Sequence, residues 1–452
     1  MKREDVETAL NEISDAHIQE AITPKKTRKR TWISIVAAAM AFVLVFGLFS
    51  RPMAIRAHAI SVAEYPEYKW LYRDNVREEA KDLSDFFEKS IGTILTGAAE
   101  ENQTYSPINL YMALAIVAEM ASGASQEQIL SLLNVDNIET LRTQTNEIWN
   151  ACYRDNNSKT VLANSVWLDE DLSYNQALMD TLAGNYYTSV YQAELADERT
   201  AKDICAWLNK NTGGLLESEV QKAASGFDEY TLFAIYSTVF YQAKWVLGAE
   251  FDASKNTKDL FHAPGGDIRC TFMNRNRLQT EYYWAEDCSA VALRLRDNSS
   301  MWFILPDEGC SVDDILTSGN YMDLILGNYD GDTSGSKYMM VNLSIPKFDV
   351  RWSSDLKKDL MSLGVTDVFD WAEADFSGAI DADTYLTSVN QATRVCIDEE
   401  GVTAASYIEI PGATSPAPPE EMIDFVVDRP FIFVITNYYD LPLFAGVVNH
   451  PQ

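Results

Sequence analysis

From Thr31 to Ser50 the chain reads TWISIVAAAMAFVLVFGLFS, a run of twenty residues without a charge. At a rise of about 1.5 Å per residue that length matches a hydrocarbon core of about 30 Å, and it predicts one transmembrane helix. A short juxtamembrane stretch, residues 51–75, follows. From there, over residues 76–452, the pattern is that of one continuous folded body without a repeat or a Pro/Ser-rich linker. In its first half, residues 78–95, 108–121 and 126–134 place apolar side chains three and four apart, which predicts helices packed by one face. In its second half, residues 232–245, 300–306, 338–350, 385–401 and 430–437 are rich in β-branched and aromatic side chains, which predicts strands. Helices first and strands later predict an α+β fold with large mixed or antiparallel β-sheets.

Charge orients the apolar run. Lys25, Lys26, Arg28, Lys29 and Arg30 precede it and only Arg51 and Arg56 follow closely, so the positive-inside bias predicts a cytoplasmic tail (residues 1–30) and an exported body. A cleaved signal peptide is the competing expectation. Against it, the run is longer than a usual signal core and lies behind thirty residues of acidic, helix-patterned sequence. The formal net charge of −31 argues against nucleic acid and anionic lipid surfaces as partners, since both select clustered Lys and Arg. Cys152, Cys205, Cys270, Cys288, Cys310 and Cys396 form no C-x-x-C pair and are expected to be buried free thiols. Acidity, sparse cysteine and a basic cytoplasmic flank together suggest a bacterial cell surface.

Histidine nearly excludes hydrolase chemistry. Of four, His17 is in the tail, His58 is juxtamembrane and His450 is near the end, leaving His262 in the turn-like sequence FHAPGG. A Ser-His-Asp or Cys-His site requires a histidine held beside its nucleophile, and a histidine-based metal site requires more than one. There is no G-x-S-x-G, P-loop or G-x-G-x-x-G. Asp332-Thr333-Ser334-Gly335 is a single copy of a weak aspartic-protease-like motif and reads as a surface turn. The body is expected to be non-enzymatic, with neither cofactor nor metal.

The segment beginning at Ile397 reads IDEEGVTAASYIEIPGATSPAPPEEMIDFVVDRPFIFVITN. Extended, it places Val402, Ala404, Ser406, Ile408 and Ile410 on one face and Thr403, Ala405, Tyr407 and Glu409 on the other. Gly401 gives the backbone freedom where that stretch begins, and the tip from Pro411 to Pro419 is too rich in Pro, Gly and small residues for regular structure.

This segment resembles the hinge and reactive loop of serpins, an acidic pair followed by Gly, Thr or Ser, Glu and several alanines. Further resemblances follow in order. NQTYSPINLYMALAIVAEMASGASQEQI is similar to the serpin N-S-P-x-S helix and the turn after it. AWLNKNTGGLL, LFAIYSTVFYQAKW, WFILP, VNLSIPKFDV, LMSLGVTDVFDWAEADFSGA and DRPFIFVITN are similar to later strands and helices of that family. The resemblance implies a serpin fold with an exposed C-terminal reactive loop. It implies a hinge of Glu399, Glu400, Gly401, Val402, Thr403, Ala404, Ala405 and Ser406, and Lys347 placed to pair with Glu399 at the sheet opening above Trp245. A polar gate of Ser106, Asn109, Ser237 and Gln391 is also implied, the last two standing where the family keeps Asn and His.

The implied function is suicide inhibition of a serine protease by loop cleavage and insertion, by a protein acting as a monomer. Family spacing puts the cut near Ser415; because Ser415–Pro416 is a tertiary amide, the expected bond is Thr414–Ser415, with Ala413–Thr414 the next choice. The small residues of the tip point to an elastase-like or subtilisin-like partner. The alternative is a non-inhibitory serpin, a surface protein for binding or chaperoning.

Overall fold

The computed structural model describes residues 55–65, 83–98, 100–155, 158–214, 227, 231–329, 331–402 and 421–451. The chain divides into two units, Met1–Met53 and Ala54–Gln452. The predicted tail and transmembrane run lie outside the described residues. None of the described helices is long and apolar enough to cross a membrane.

The predicted helices form where the apolar spacing puts them: α1 (Ser84–Leu95), α2 (Pro107–Met120) and α3 (Gly123–Leu132), followed by α4 (Ile138–Cys152), α5 (Gln176–Asn185) and α6 (Glu198–Asn211). Short helices α7 (Val312–Ser318), α8 (Asn320–Leu326) and α9 (Lys357–Ser362) complete the set. α2 is buried along nearly its whole circumference, as a helix apolar on every face must be. Its start is fixed by the Ser106 side chain, which accepts from the Asn109 N–H, and by Pro107 in the first turn.

Two sheets enclose this helix. The first runs β1 (His58–Ser61), β5 (Thr188–Ala193), β4 (Lys159–Asp169), β6 (Phe233–Lys244), β14 (Gly401–Val402), β13 (Asn390–Ile397) and β12 (Phe348–Asp355), with β3 (Arg154–Asp155) paired to β4. The second runs β15 (Met422–Val426), β11 (Gly335–Pro346), β8 (Gly266–Trp284), β9 (Cys288–Arg294), β10 (Ser300–Pro306), β16 (Phe431–Thr436), β17 (Pro442–Val448) and β2 (Gln103–Tyr105), with β7 (Thr257–Ala263) on β8. Both are mixed, because β4 pairs β5 in parallel and β11 pairs β15 in parallel. The main core fills the space between the sheets around α2. A smaller cluster of Ala163, Trp167, Tyr191, Leu195, Ile204, Trp207 and Leu208 seats α6 on β4 and β5.

Several expectations are corrected. The apolar run 338–350 is two strands in different sheets, β11 and β12, meeting at Lys347. The run 385–401 becomes strand only at Asn390. His262 is in β7, not in a turn, and stands exposed with Nδ1 2.8 Å from Asp267. Of the six free thiols, Cys152, Cys270 and Cys288 are buried, whereas Cys205, Cys310 and Cys396 are partly exposed.

Candidate functional site

The segment Asp398–Val402 lies where the first sheet begins to part. β14 sits between β6 and β13, with Val402 opposite Ala243 on one side and Ile397 on the other, and Gly401 opposite Lys244. The backbone of Gly401 has φ +154°, and a Cβ there would lie 2.3 Å from the Ala243 carbonyl oxygen. Only glycine fits so close to a neighbouring strand at that φ.

The turn leading into β14 is closed by Asp398, whose Oδ1 accepts from the Glu400 and Gly401 N–H groups at 2.8 and 3.1 Å. Trp245 is fully buried beneath it and donates its indole N–H to the Asp398 carbonyl at 2.9 Å. The Trp245 N–H reaches the Glu400 carbonyl at 3.0 Å. Lys347 Nζ stands 2.7 Å from Glu399 Oε2, and the Asn256 amide donates to the other Glu399 oxygen. Burial pushes the Glu399 carboxyl up, but the Lys347 ammonium and the Asn256 amide outweigh it and hold the group below its ordinary value. Lys244 pairs with the more exposed Glu400 at 3.3 Å.

Below Val402, β6 and β13 share no ladder among the described residues. Between them Val239, Tyr241, Thr393, Val395, Ile435 and Phe444 line a cavity of about 20 Å³, with Val402 at its upper end. That is room for roughly one water molecule. The cavity continues the path on which β14 enters, and Val402, 2% exposed, already points inward.

Further down, the two sides of the gap are fastened to the start of α2. On the β13 side, Gln391 Oε1 accepts from the Ser106 N–H at 2.9 Å, and Gln391 Nε2 donates to the Ser106 carbonyl at 3.2 Å. On the β6 side, Asn109 Nδ2 donates to the Ser237 carbonyl at 2.9 Å, and the Ser237 hydroxyl lies against Asn109 Oδ1 and donates to Asn164 Oδ1 at 2.6 Å. Ser106 Oγ donates to the Leu443 carbonyl of the second sheet at 2.6 Å. Ser106, Asn109 and Gln391 are buried and Ser237 is partly buried. Each bond here therefore acts in a low dielectric, where leaving a partner unmade is costly.

The structure thus brings together Lys347, Trp245, Glu399, Glu400, Gly401 and Val402 at one end of the gap and Ser106, Asn109, Ser237 and Gln391 further along it. Thr403, Ala404, Ala405, Ser406, Thr414 and Ser415 lie outside the described residues. Asn164 and Asn256 were not singled out from sequence. Asn164 lies with Ser165 in the middle of a buried strand and Asn256 sits in a loop, so neither belongs to a recognisable pattern. Asp332–Gly335 is a surface turn running into β11. Among the described residues no cluster of three or more His, Cys, Asp or Glu side chains is placed to hold a metal ion.

Comparison with known proteins bears on the same region. The chain is 27% identical to Serpin-ZX of Arabidopsis thaliana over 383 residues, 79% of this chain and 94% of that protein. It is 26% identical to alpha-1-antiproteinase of Callosciurus caniceps over 384 residues, 82% of this chain and 89% of that one. The structure superposes on the thermophilic serpin tengpin in its native state with a TM-score of 0.73 at 24% identity, covering 87% of this chain and all of that one. The family model described as serpin (serine protease inhibitor) matches residues 84–451, which contain the hinge, the gap and the gate. The chain belongs to the serpin family of serine protease inhibitors and is not an enzyme.

Proposed function

We propose that this serpin is an inhibitory, single-pass cell-surface protein that traps an elastase-like or subtilisin-like serine protease through its reactive loop. The observation that carries this reading is the seating of Gly401–Val402 between β6 and β13, at the head of a gap where, among the described residues, those strands do not pair with each other. A protease acylated at Thr414 leaves the strand before it free to continue along that gap, a β-strand addition within one chain. Continuing the register one residue for one sets residues 403–412 against Gln242–Phe233 of β6.

Roughly ten ladder hydrogen bonds at about 1 kcal/mol each, with about 1–2 kcal/mol for each of three or four aliphatic side chains buried, provide a driving force on the order of 15 kcal/mol. A catalytic site that tolerates displacements of only about 1 Å is disabled by far less. Tyr407 falls on the face opposite Val402 and stays toward solvent, whereas Pro411 forfeits one ladder bond.

The small residues Gly412, Ala413, Thr414 and Ser415 fit a shallow apolar specificity pocket and give a trypsin-like enzyme no Lys or Arg to hold. The charge-free run Thr31–Ser50 behind the basic cluster Lys25–Arg30 supports a bacterial membrane anchor with the body outside. Incubating the purified protein with elastase is expected to give an SDS-stable covalent complex that trypsin does not give. A complex with trypsin alone would defeat the specificity. Cleavage by every protease without any complex would leave a non-inhibitory binding protein.

A further inference from the structure

The match to the family model begins at residue 84, and ahead of it residues 55–65 are built onto the edge of the sheet that must part. β1 pairs antiparallel with β5, His58 opposite Gln192 and Ser61 opposite Val190. The buried Asp203 of α6, 6% exposed, accepts the Arg56 and Ala57 N–H groups on one carboxylate oxygen at 2.8 and 2.9 Å. Ile55 and Ala57 pack against the cluster beneath α6, and the Ser61 hydroxyl donates to Asp180 of α5 at 2.6 Å. The Tyr65 ring closes the segment, its centroid 5.2 Å from that of Trp149 and 5.5 Å from that of Tyr153. Residues 55–65 are a bracket on the body, not free spacer.

The bracket fixes where the preceding chain joins the body. His58 is level with Gln192, Gln192 with Leu168, and Leu168 with Phe233, so one row crosses β1, β5, β4 and β6. Phe233 is the end of β6 farthest from Lys244, where the hinge enters. In the register proposed above, inserted Gly412 reaches that same row, four strand spacings from His58, or about 19 Å. Insertion therefore delivers the acylated residue to the pole at which residues 1–54 are attached.

We infer that anchoring and trapping compete, an inference that rests on the anchored, inhibitory reading. Seven residues, 51–57, separate Ser50 from His58, a reach of at most about 29 Å when fully extended. A protease domain of some 200 residues has a radius of gyration of about 16 Å and is roughly 40 Å across, too large for that reach. With the bracket docked, a bilayer holding residues 31–50 obstructs the final position of the protease, and loop insertion stalls while the acyl bond can still hydrolyse. Releasing the bracket or lengthening the tether removes the obstruction.

The test uses the full chain facing outward from liposomes, with elastase as the probe, and counts inhibitor molecules consumed per protease molecule trapped. Wild-type protein is expected to consume several-fold more in liposomes than in detergent. A variant with twenty Gly/Ser residues inserted between Ser50 and Arg51 is expected to match the detergent value in both settings. Asp203→Ala, which frees the bracket without changing chain length, is expected to shift consumption the same way, and the spacer variant keeps the test open if that substitution unfolds the body. Equal consumption by wild-type and spacer proteins in liposomes overturns the inference alone. Absence of any covalent complex in detergent overturns it together with the inhibitory reading, and failure of the chain to float with liposomes overturns it together with the anchor.

Discussion

At the residue scale the hinge depends on one missing side chain and one ion pair. Gly401→Ala places a methyl group 2.3 Å from the Ala243 oxygen at a φ that L residues avoid. It is expected to cost about 1–3 kcal/mol, read as a lower denaturant midpoint with unchanged slope. Lys347–Glu399 is a partly exposed pair, so its loss in Glu399→Gln is expected to cost only about 1 kcal/mol, seen as roughly fivefold weaker hydrogen-exchange protection around Trp245 and Gly401. Because the folded state holds Glu399 below its ordinary value, its contribution is complete above the unfolded pKa. It is lost as pH falls through the depressed folded value. Wild-type protection at the hinge should therefore drop toward that of the variant in acid, and the variant should show no such drop from this group. Lys347 and Glu399 could be matched in sequence only through the family resemblance, since some fifty residues separate them. Asn256, which shares the same carboxylate, follows no pattern that would mark it.

At the scale of elements, α2 acts as a clasp. Its first turn holds β13 through Ser106 and β6 through Asn109, so the gap closes on a helix end rather than on direct bonds between the strands. Asn109→Ala removes the β6 side of the clasp while the β13 side stays intact. A cost of about 1–3 kcal/mol is expected, measured by thermal unfolding, with a smaller fraction of reactions ending as covalent complex. α2 was legible because serine, proline and an unbroken apolar stretch specify its start and its burial together. β4 was not, because covering on both faces erases the alternation that marks a strand, and its polar Asn164 and Ser165 interrupt the apolar run. β1 was not legible either. It has four residues, His58–Ser61, and exists because β5 offers an edge and Asp203 an acceptor, neither of which is local to it.

For the whole molecule, the decisive feature is that the gap in the first sheet is already occupied at one end by Gly401 and Val402, the first two residues of the segment proposed to fill it. The overall α+β class was readable from apolar spacing, and the meeting of Lys347, Trp245 and Glu399 from the family resemblance. Division of the run 338–350 between two sheets was not, because nothing in an apolar strand pattern says which sheet it joins. The account stands on the claim that residues 402–410 complete the first sheet after cleavage, and thermal unfolding before and after a single cut within residues 411–416 tests it most directly. A gain of about 15 kcal/mol in a body of this size predicts a melting temperature higher by about 20 °C in the cut protein. A melting temperature unchanged or lowered by the cut would contradict the account.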